Sequence, residues 1–299
     1  IGDLGQRYKG KVRENFYLDD EIIMVTTDRV SAFDHVLGTI PFKGQILTEI
    51  ANFWFEKTKY IAPNHIISTP DPQVLIARKA ETLPVEIIVR GYITGSLWRE
   101  YEQGINGQYG FMLQEGLKKD QLFEVPLLTP STKAQYGLHD EPITRKDIVS
   151  GLVEEEIYAH AEAYSLDFFA VGQEWASQQG LILVDTKYEF GMVDGELIVI
   201  DEIHTPDSSR YWVASEYEER FNVGKNQKML DKENIRQWLI ERGFVGEGSP
   251  PPLTDEIRVT LAERYIELYN LITGQEFIPA VGNVKNRIEN NLEKAGIFV

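Results

Sequence analysis

The stretch from Leu181 to Asp201 constrains the fold more than any other part of the chain. It reads LILVDTKYEFGMV, then Asp194-Gly195, then ELIVID. Two apolar runs joined through Asp-Gly predict an antiparallel β-hairpin, with strands over Leu181–Phe190 and Glu196–Asp201. Side chains alternate between the faces of a strand, so Asp185, Lys187 and Glu189 share one face and Thr186, Tyr188 and Phe190 the other. Three charges in a row, on a strand whose start is apolar, are costly to bury without partners. One reading is a solvated sheet face carrying an ion pair. The other is a face that meets a ligand. A Mg²⁺ ion bridging nucleotide phosphates would satisfy the carboxylates, and Lys187 would reach a phosphate or a substrate carboxylate. Asp201-Glu202, at the end of the next strand, is a natural place for a second metal ligand. The turn length then matters. A two-residue loop sets Asp201 opposite Tyr188, on the wrong face, whereas a three-residue loop or an equivalent bulge brings it to the Glu189 face. If Glu189 and Asp201 serve one metal, we expect the second arrangement.

Elsewhere the pattern mixes short strands and helices. Glu14–Leu18 and Ile22–Thr26 flank Asp19-Asp20 and predict a hairpin, and Val74–Lys79 and Val85–Val89 read as strands. Gln45–Lys57 predicts a helix with Ile46, Ile50, Phe53 and Trp54 on its apolar stripe. Thr144-x-x-Asp147 resembles a capping box opening a helical stretch through Leu152 and Ile157, followed by a second stretch ending near Gly180. Ile257, Leu261, Tyr265, Leu268 and Ile272 recur at helical spacing ahead of Gly274, and 246–252 reads as a loop. The whole predicts an α+β protein with a strand-rich first lobe over 1–85 and a larger mixed lobe over 86–299.

Other segments offer anion-binding chemistry. Gly10, Lys11, Val12 and Arg13 form a glycine turn with cations, where backbone N–H groups can approach phosphate; a basic surface turn is the alternative. It matches neither GxxxxGK[ST] nor GxGxxG. Glu86 and Arg90 punctuate a buried-strand pattern just before Thr94-Gly95-Ser96, so Arg90 would grip a carboxylate or phosphate, or else brace Glu86. Asp207 and Arg210 lie in a Pro-, Asp- and Ser-rich turn or helix start directly after Asp201-Glu202. Arg236 falls in a further helix that begins near Leu230.

Several classes are excluded or disfavoured. Cysteine is absent, which removes disulfides, thiolate metal sites and a cysteine nucleophile. A net charge of −17 argues against broad nucleic-acid binding while leaving small anionic substrates open, provided the cations gather in a cleft. The segment 28–34 reads as a polar loop after a strand; Ser31 within it, near Asp34 and His35, lacks the GxSxG elbow of a hydrolase, and the five histidines show neither triad nor HExxH spacing. No apolar run approaches the roughly 20 residues that span a bilayer. The first residues lack a signal-peptide arrangement, and we expect a cytoplasmic protein with no membrane partner.

Taken in order, YKGKVRENF, TTDRVSAFD, IPFKGQILTEIANFWF, VEIIVRGYITGSLW, LTPSTKAQYGLHDEPIT, VDTKYEFG, DEIHTPDSSRYW and LDKENIRQWL resemble the SAICAR synthetase family from residue 8 to about 239. The resemblance implies an ATP-grasp-related, two-lobed fold with antiparallel sheets and flanking helices, holding ATP and Mg²⁺ between lobes. It implies a ligase of purine biosynthesis that joins L-aspartate to 5-amino-1-(5-phospho-D-ribosyl)imidazole-4-carboxylate (CAIR), through an acyl phosphate. Carried over by motif, Gly10, Lys11, Val12, Arg13 and Glu86 serve ATP. Glu189 and Asp201 hold Mg²⁺, with Lys187 at the reacting phosphate. Arg90, Ser96, Asp185, Asp207, Arg210 and Arg236 bind the imidazole nucleotide. Ser31, Asp34 and Lys133 are candidates for L-aspartate. The last 60 or so residues match no motif and are assigned to packing, and the protein is expected to be a monomer or homodimer. A kinase-like phosphotransferase would share the turn, the lysine and the carboxylates, and a nucleotide sensor would bind ATP without turnover. Aspartate-dependent ADP release separates the three.

Overall fold

Alternating short segments at the start of the chain pair into a five-stranded antiparallel sheet. Its strands are β1 (Gln6–Lys9), β2 (Arg13–Tyr17), β3 (Glu21–Thr26), and, after an excursion, β6 (Ile66–Asp71) and β7 (Val74–Arg78), in the order β1-β2-β3-β7-β6. The excursion holds a two-stranded ribbon, β4 (Arg29–Ala32) and β5 (His35–Thr39), and helix α1 (Lys43–Thr58). These features come from a computed structural model that describes residues 4–33, 35–133, 140–230 and 233–297.

The second sheet has seven strands, β8 (Glu81–Thr82), β9 (Val85–Tyr92), β10 (Leu122–Leu128), β11 (Ser131–Thr132), β12 (Leu181–Val193), β13 (Glu196–Ile200) and β14 (Ser209–Val213). Between and after them come α2 (Gly95–Glu102), α3 (Arg145–Val149), α4 (Glu155–Gln178), α5 (Ala214–Asn222), α6 (Glu233–Ile240), α7 (Asp255–Thr273) and α8 (Val284–Lys294). Strand β12 is the centre of this sheet: it pairs antiparallel with β8, β9, β13 and β14 along its length. Sheets of antiparallel strands with helices packed on them make this an α+β fold.

The main core explains the period-2 split along β12. Tyr188 and Phe190 bury one face against α4, where Phe168 meets the Tyr188 ring, and the same cluster runs on through α1 and α7. A second cluster lies between the first sheet and α8, joining Phe16, Ile23, Val25, Val74 and Ile76 to Ile288 and Leu292. Asp71, buried, anchors that helix by accepting from Arg287 Nε (3.0 Å) and Asn291 Nδ2 (2.8 Å). The C-terminal segment therefore packs on both sheets.

Most predicted elements are present, with three corrections. The segment from Asp28 reads as a loop in sequence, but Arg29–Ala32 forms β4, paired with β5. Thr144 caps its helix as expected, its Oγ1 accepting from the Asp147 N–H, yet α3 stops at Val149 and the break falls before Glu155 rather than after Ile157. The third concerns the hairpin. Val193 pairs with Glu196 and Glu189 with Ile200, so the loop has two residues, not three. Asp194 (φ 52°) and Gly195 (φ 80°) both take left-handed backbone, the turn whose twist matches its strands.

Candidate active site

The two-residue loop does not part the carboxylates, because β13 ends one residue early. Asp201 lies beyond Ile200 at φ 68°, and this left-handed residue re-aims a side chain that strict alternation would send to the Tyr188 face. Lys187 Nζ donates to Glu86 Oε1 (3.2 Å) and to Glu189, and Asp201 Oδ2 stands 3.6 Å away. Lys133 donates to Glu189 as well. Glu189 and Asp201 thus share one side through backbone geometry at Asp201, not through the three-residue loop or bulged turn expected at Asp194-Gly195. Asp185 and Glu189 are buried, which rules out the solvated sheet face.

Electrostatics follow from this crowding. Burial alone would raise the Glu189 carboxyl, but the Lys187 and Lys133 ammonium groups overcome it and hold it well below the usual carboxylate range. Burial would lower Lys187; the charges of Glu189 and Glu86 reverse this, so it stays protonated far above neutral pH. Burial prevails at Glu86, whose carboxyl is raised. Lys187 is accordingly a fixed point charge rather than a proton carrier.

Two cavities flank this strand. The first, about 310 Å³, lies between the first sheet and the β12–β13 hairpin. Asn15, Tyr17, Ile22 and Met24 form one wall, Arg78, Lys79, Ala80 and Thr82 another, and Glu189, Asp201 and Lys133 its charged end. His65 also lines it, its Nδ1 3.3 Å from Val199 O, and burial lowers its pKa to about 4. Arg13 closes the gap between sheets by pairing with Asp201 and with Glu202 (3.2 Å).

The second cavity, about 340 Å³, collects Arg90, Ser96, Asp185, Lys187, Asp207, Arg210 and Arg236, with Arg99. Strand register builds it: Asp185 lies opposite Arg90 on β9 and opposite Arg210 on β14. Its carboxylate accepts from Arg90 Nη1 (3.2 Å) and from Arg210. Arg90 also donates to Thr129 Oγ1 (2.8 Å) and Ser96 Oγ (3.3 Å), so its guanidinium is held from β12, from α2 and from the segment after β10. The segment before β14 is a turn, with Ser208 and Ser209 N–H groups bonded to Thr205 O, and it carries Asp207 to the cavity.

All six residues expected at the nucleotide come together here. Glu86 lines neither cavity but touches Lys187. Gly10, Lys11 and Val12 line neither; their turn is held by Arg29, which donates to Gly10 O, Lys11 O and Arg13 O. Ser31 is buried in the β4–β5 ribbon, Phe33 lies 6.0 Å from the Arg236 guanidinium, and Asp34 falls outside the described residues. Sequence reasoning missed Arg29, Arg99 and the apolar wall of the first cavity. Arg99 was findable, three residues after Ser96 on one helix face. Among the described residues no three His, Asp or Glu gather to hold a metal by themselves.

Comparison with known proteins identifies the family of the chain. The family model described as SAICAR synthetase matches residues 6–251. The chain is 46% identical over 299 aligned positions to the phosphoribosylaminoimidazole-succinocarboxamide synthase of Legionella pneumophila, covering 97% of the chain and 95% of that protein. It is 49% identical to the enzyme of that name from Bacteroides fragilis, covering 95% and 93%. In structure it is similar to the Saccharomyces cerevisiae SAICAR-synthase complexed with SAICAR (TM-score 0.81, 31% identity, 93% and 97% covered). It is also similar to a SAICAR synthetase in complex with ADP (TM-score 0.70, 25% identity, 91% and 100% covered). The chain belongs to the SAICAR synthetase family, ligases of purine biosynthesis.

Proposed function

We propose that the first cavity takes ATP, the second takes CAIR, and Lys187 on β12 works between them in the ligation of L-aspartate to CAIR. The observation that carries this reading is the shared strand: Glu189 ends one cavity, Asp185 and Lys187 line the other, and all three are on one face. One similar structure is a complex with ADP and another a complex with SAICAR, which supports a site for each kind of ligand. In the reaction, a CAIR carboxylate oxygen attacks the γ-phosphorus and ADP leaves. The amine of aspartate then attacks the acyl phosphate carbon, loses a proton, and inorganic phosphate departs as the amide forms. Catalysis of such transfer is positioning plus charge neutralisation. Lys187 offsets charge on the transferred group, while Arg90 and Arg210, braced on Asp185, hold the nucleotide's anionic groups.

Glu189 and Asp201 suit Mg²⁺, a hard cation that takes one or two carboxylates and completes its shell with phosphate oxygens and water. Bound there, Mg²⁺ would neutralise phosphate charge during transfer. Lys187, Lys133 and Arg13 are the counter-charges these carboxylates otherwise hold. We also propose an ATP-grasp-related, two-lobed organisation divided near residue 85. The strands of the first sheet all precede Lys79 and those of the second all follow Ala80, which supports it. The glycine turn at Gly10–Val12 would face the phosphates, next to Arg13. Ser31, Asp34 and Lys133 remain our candidates for L-aspartate, and a cytoplasmic setting is proposed with them. A coupled ADP-release assay, omitting each substrate in turn, tests the reading. Release should require ATP, CAIR and aspartate together, and steady release without aspartate would point to a phosphotransferase instead. Glu189→Gln should lower turnover by about 10²–10³-fold with the fold intact.

A further inference from the structure

Lys43 violates two physical preferences at once. It is the first residue of α1, where the helix dipole disfavours a cation, and the first turn has no acidic residue to offset it. It is also fully buried, and a buried ammonium is costly unless paired. An apolar residue there would usually serve stability as well or better. The backbone nevertheless fixes the position firmly. Phe42 takes a left-handed φ of 62°, and the Gly44 N–H donates to Asp28 Oδ1 (2.9 Å), which also accepts from Gln73 Nε2 (3.2 Å).

The partner of Lys43 is Asp207. Nζ donates to Asp207 Oδ2 at 2.6 Å, and Tyr265 Oη, from α7, donates to Oδ1 at 3.2 Å. Each carboxylate oxygen therefore has its own donor, from two helices far apart in sequence, and the plane of the group is fixed. Asp207 lines the second cavity, at the turn between Asp201-Glu202 and Arg210. Its main chain is pinned too, the N–H donating to Thr205 Oγ1 (3.3 Å).

We propose that Lys43 and Tyr265 are positioning residues, which set the Asp207 carboxylate at the wall of the nucleotide cavity and thereby tune recognition of the imidazole nucleotide. The inference rests on the reading of that cavity as the CAIR site. It gives part of the C-terminal segment a role in substrate binding beyond packing. Neither residue touches the substrate; both act through Asp207.

Steady-state kinetics on Lys43→Met, Tyr265→Phe, Asp207→Asn, the Lys43→Met/Asp207→Asn double variant and Arg210→Met test it. Lys43→Met should raise the KM for CAIR by about tenfold and Tyr265→Phe by about threefold, with the KM for ATP within about twofold of wild type. The double variant should be no worse than the poorer single, since both changes remove one device. Unchanged CAIR KM in Lys43→Met and Tyr265→Phe, alongside a raised value in Arg210→Met, overturns this inference alone. Multiplying defects in the double variant overturn it too. An unchanged CAIR KM in Arg210→Met overturns the cavity assignment and this inference with it. If Lys43→Met fails to fold, Tyr265→Phe, which lacks only one oxygen, decides the matter.

Discussion

Asp201 ties a backbone anomaly to chemistry. A left-handed φ costs an ordinary L-residue roughly 1–2 kcal/mol, and Asp and Asn bear it best. Asp201→Asn should therefore keep the urea midpoint close to wild type while losing turnover by about 10²-fold. Asp201→Val should lose turnover and also about 1–2 kcal/mol of stability, because a β-branched side chain fits that conformation poorly. Equal midpoints for the two variants would show that the residue is unstrained. This residue also marks where sequence reading stopped. Period-2 alternation put Asp185, Lys187 and Glu189 on one face, as found. It could not foresee that β13 would end at Ile200 and let Asp201 turn back toward them, since a local φ leaves no composition signal. Arg13 meeting Asp201 across 188 residues, and Lys43 meeting Asp207, are likewise products of tertiary packing.

At the scale of elements, α1 shows how tightly a helix start can be specified. A Cβ on Gly44 would lie 2.3 Å from Thr26 O and 2.3 Å from Gln73 Nε2. The carbonyl belongs to β3 and cannot retreat without breaking its sheet. Gly44→Ala should then cost about 2–3 kcal/mol, the upper part of the usual overpacking range, read as a lowered urea midpoint at unchanged slope. The long periodic elements, α1, α4, α7 and the β12–β13 hairpin, were legible because their burial patterns repeat several times. Helix α8 was not, as only Val284, Ile288 and Leu292 mark its apolar side among eleven residues. Four-residue β4 is too short for alternation to separate it from a loop, and its pairing with β5 decides its state.

For the whole molecule, acid stability carries a readable signature. His65 and His204 are buried, and burial lowers their pKa values from 6.5 to about 4 and about 3. Below about pH 6.5 the unfolded chain takes up protons that the folded one refuses. Their contribution to stability is complete above that pH and is lost as pH falls toward 4, at a limiting slope of about 1.4 kcal/mol per pH unit from each. Urea unfolding at pH 7, 6 and 5 should show this decline, and His204→Gln should reduce its slope. An unchanged slope in that variant would mean that His204 takes no part. The cleft itself was only partly legible. Its charged floor could be read from β12, whereas its apolar wall comes from the first sheet, which no single motif announces. One consequence of the shared strand remains. From Asp185 to Glu189 is four residues, about 13 Å at the rise of an extended chain, with Lys187 halfway. On the proposed assignment of the two cavities, strand β12 is a molecular ruler: the span between them is set by covalent geometry and by pairing on both edges. A one-residue insertion between those carboxylates would turn one of them to the core side, and a two-residue insertion would keep the face but lengthen the span by about 7 Å. Either should abolish amide formation more completely than removal of any single charge, since an encounter held at fixed distance is worth more than any one contact within it.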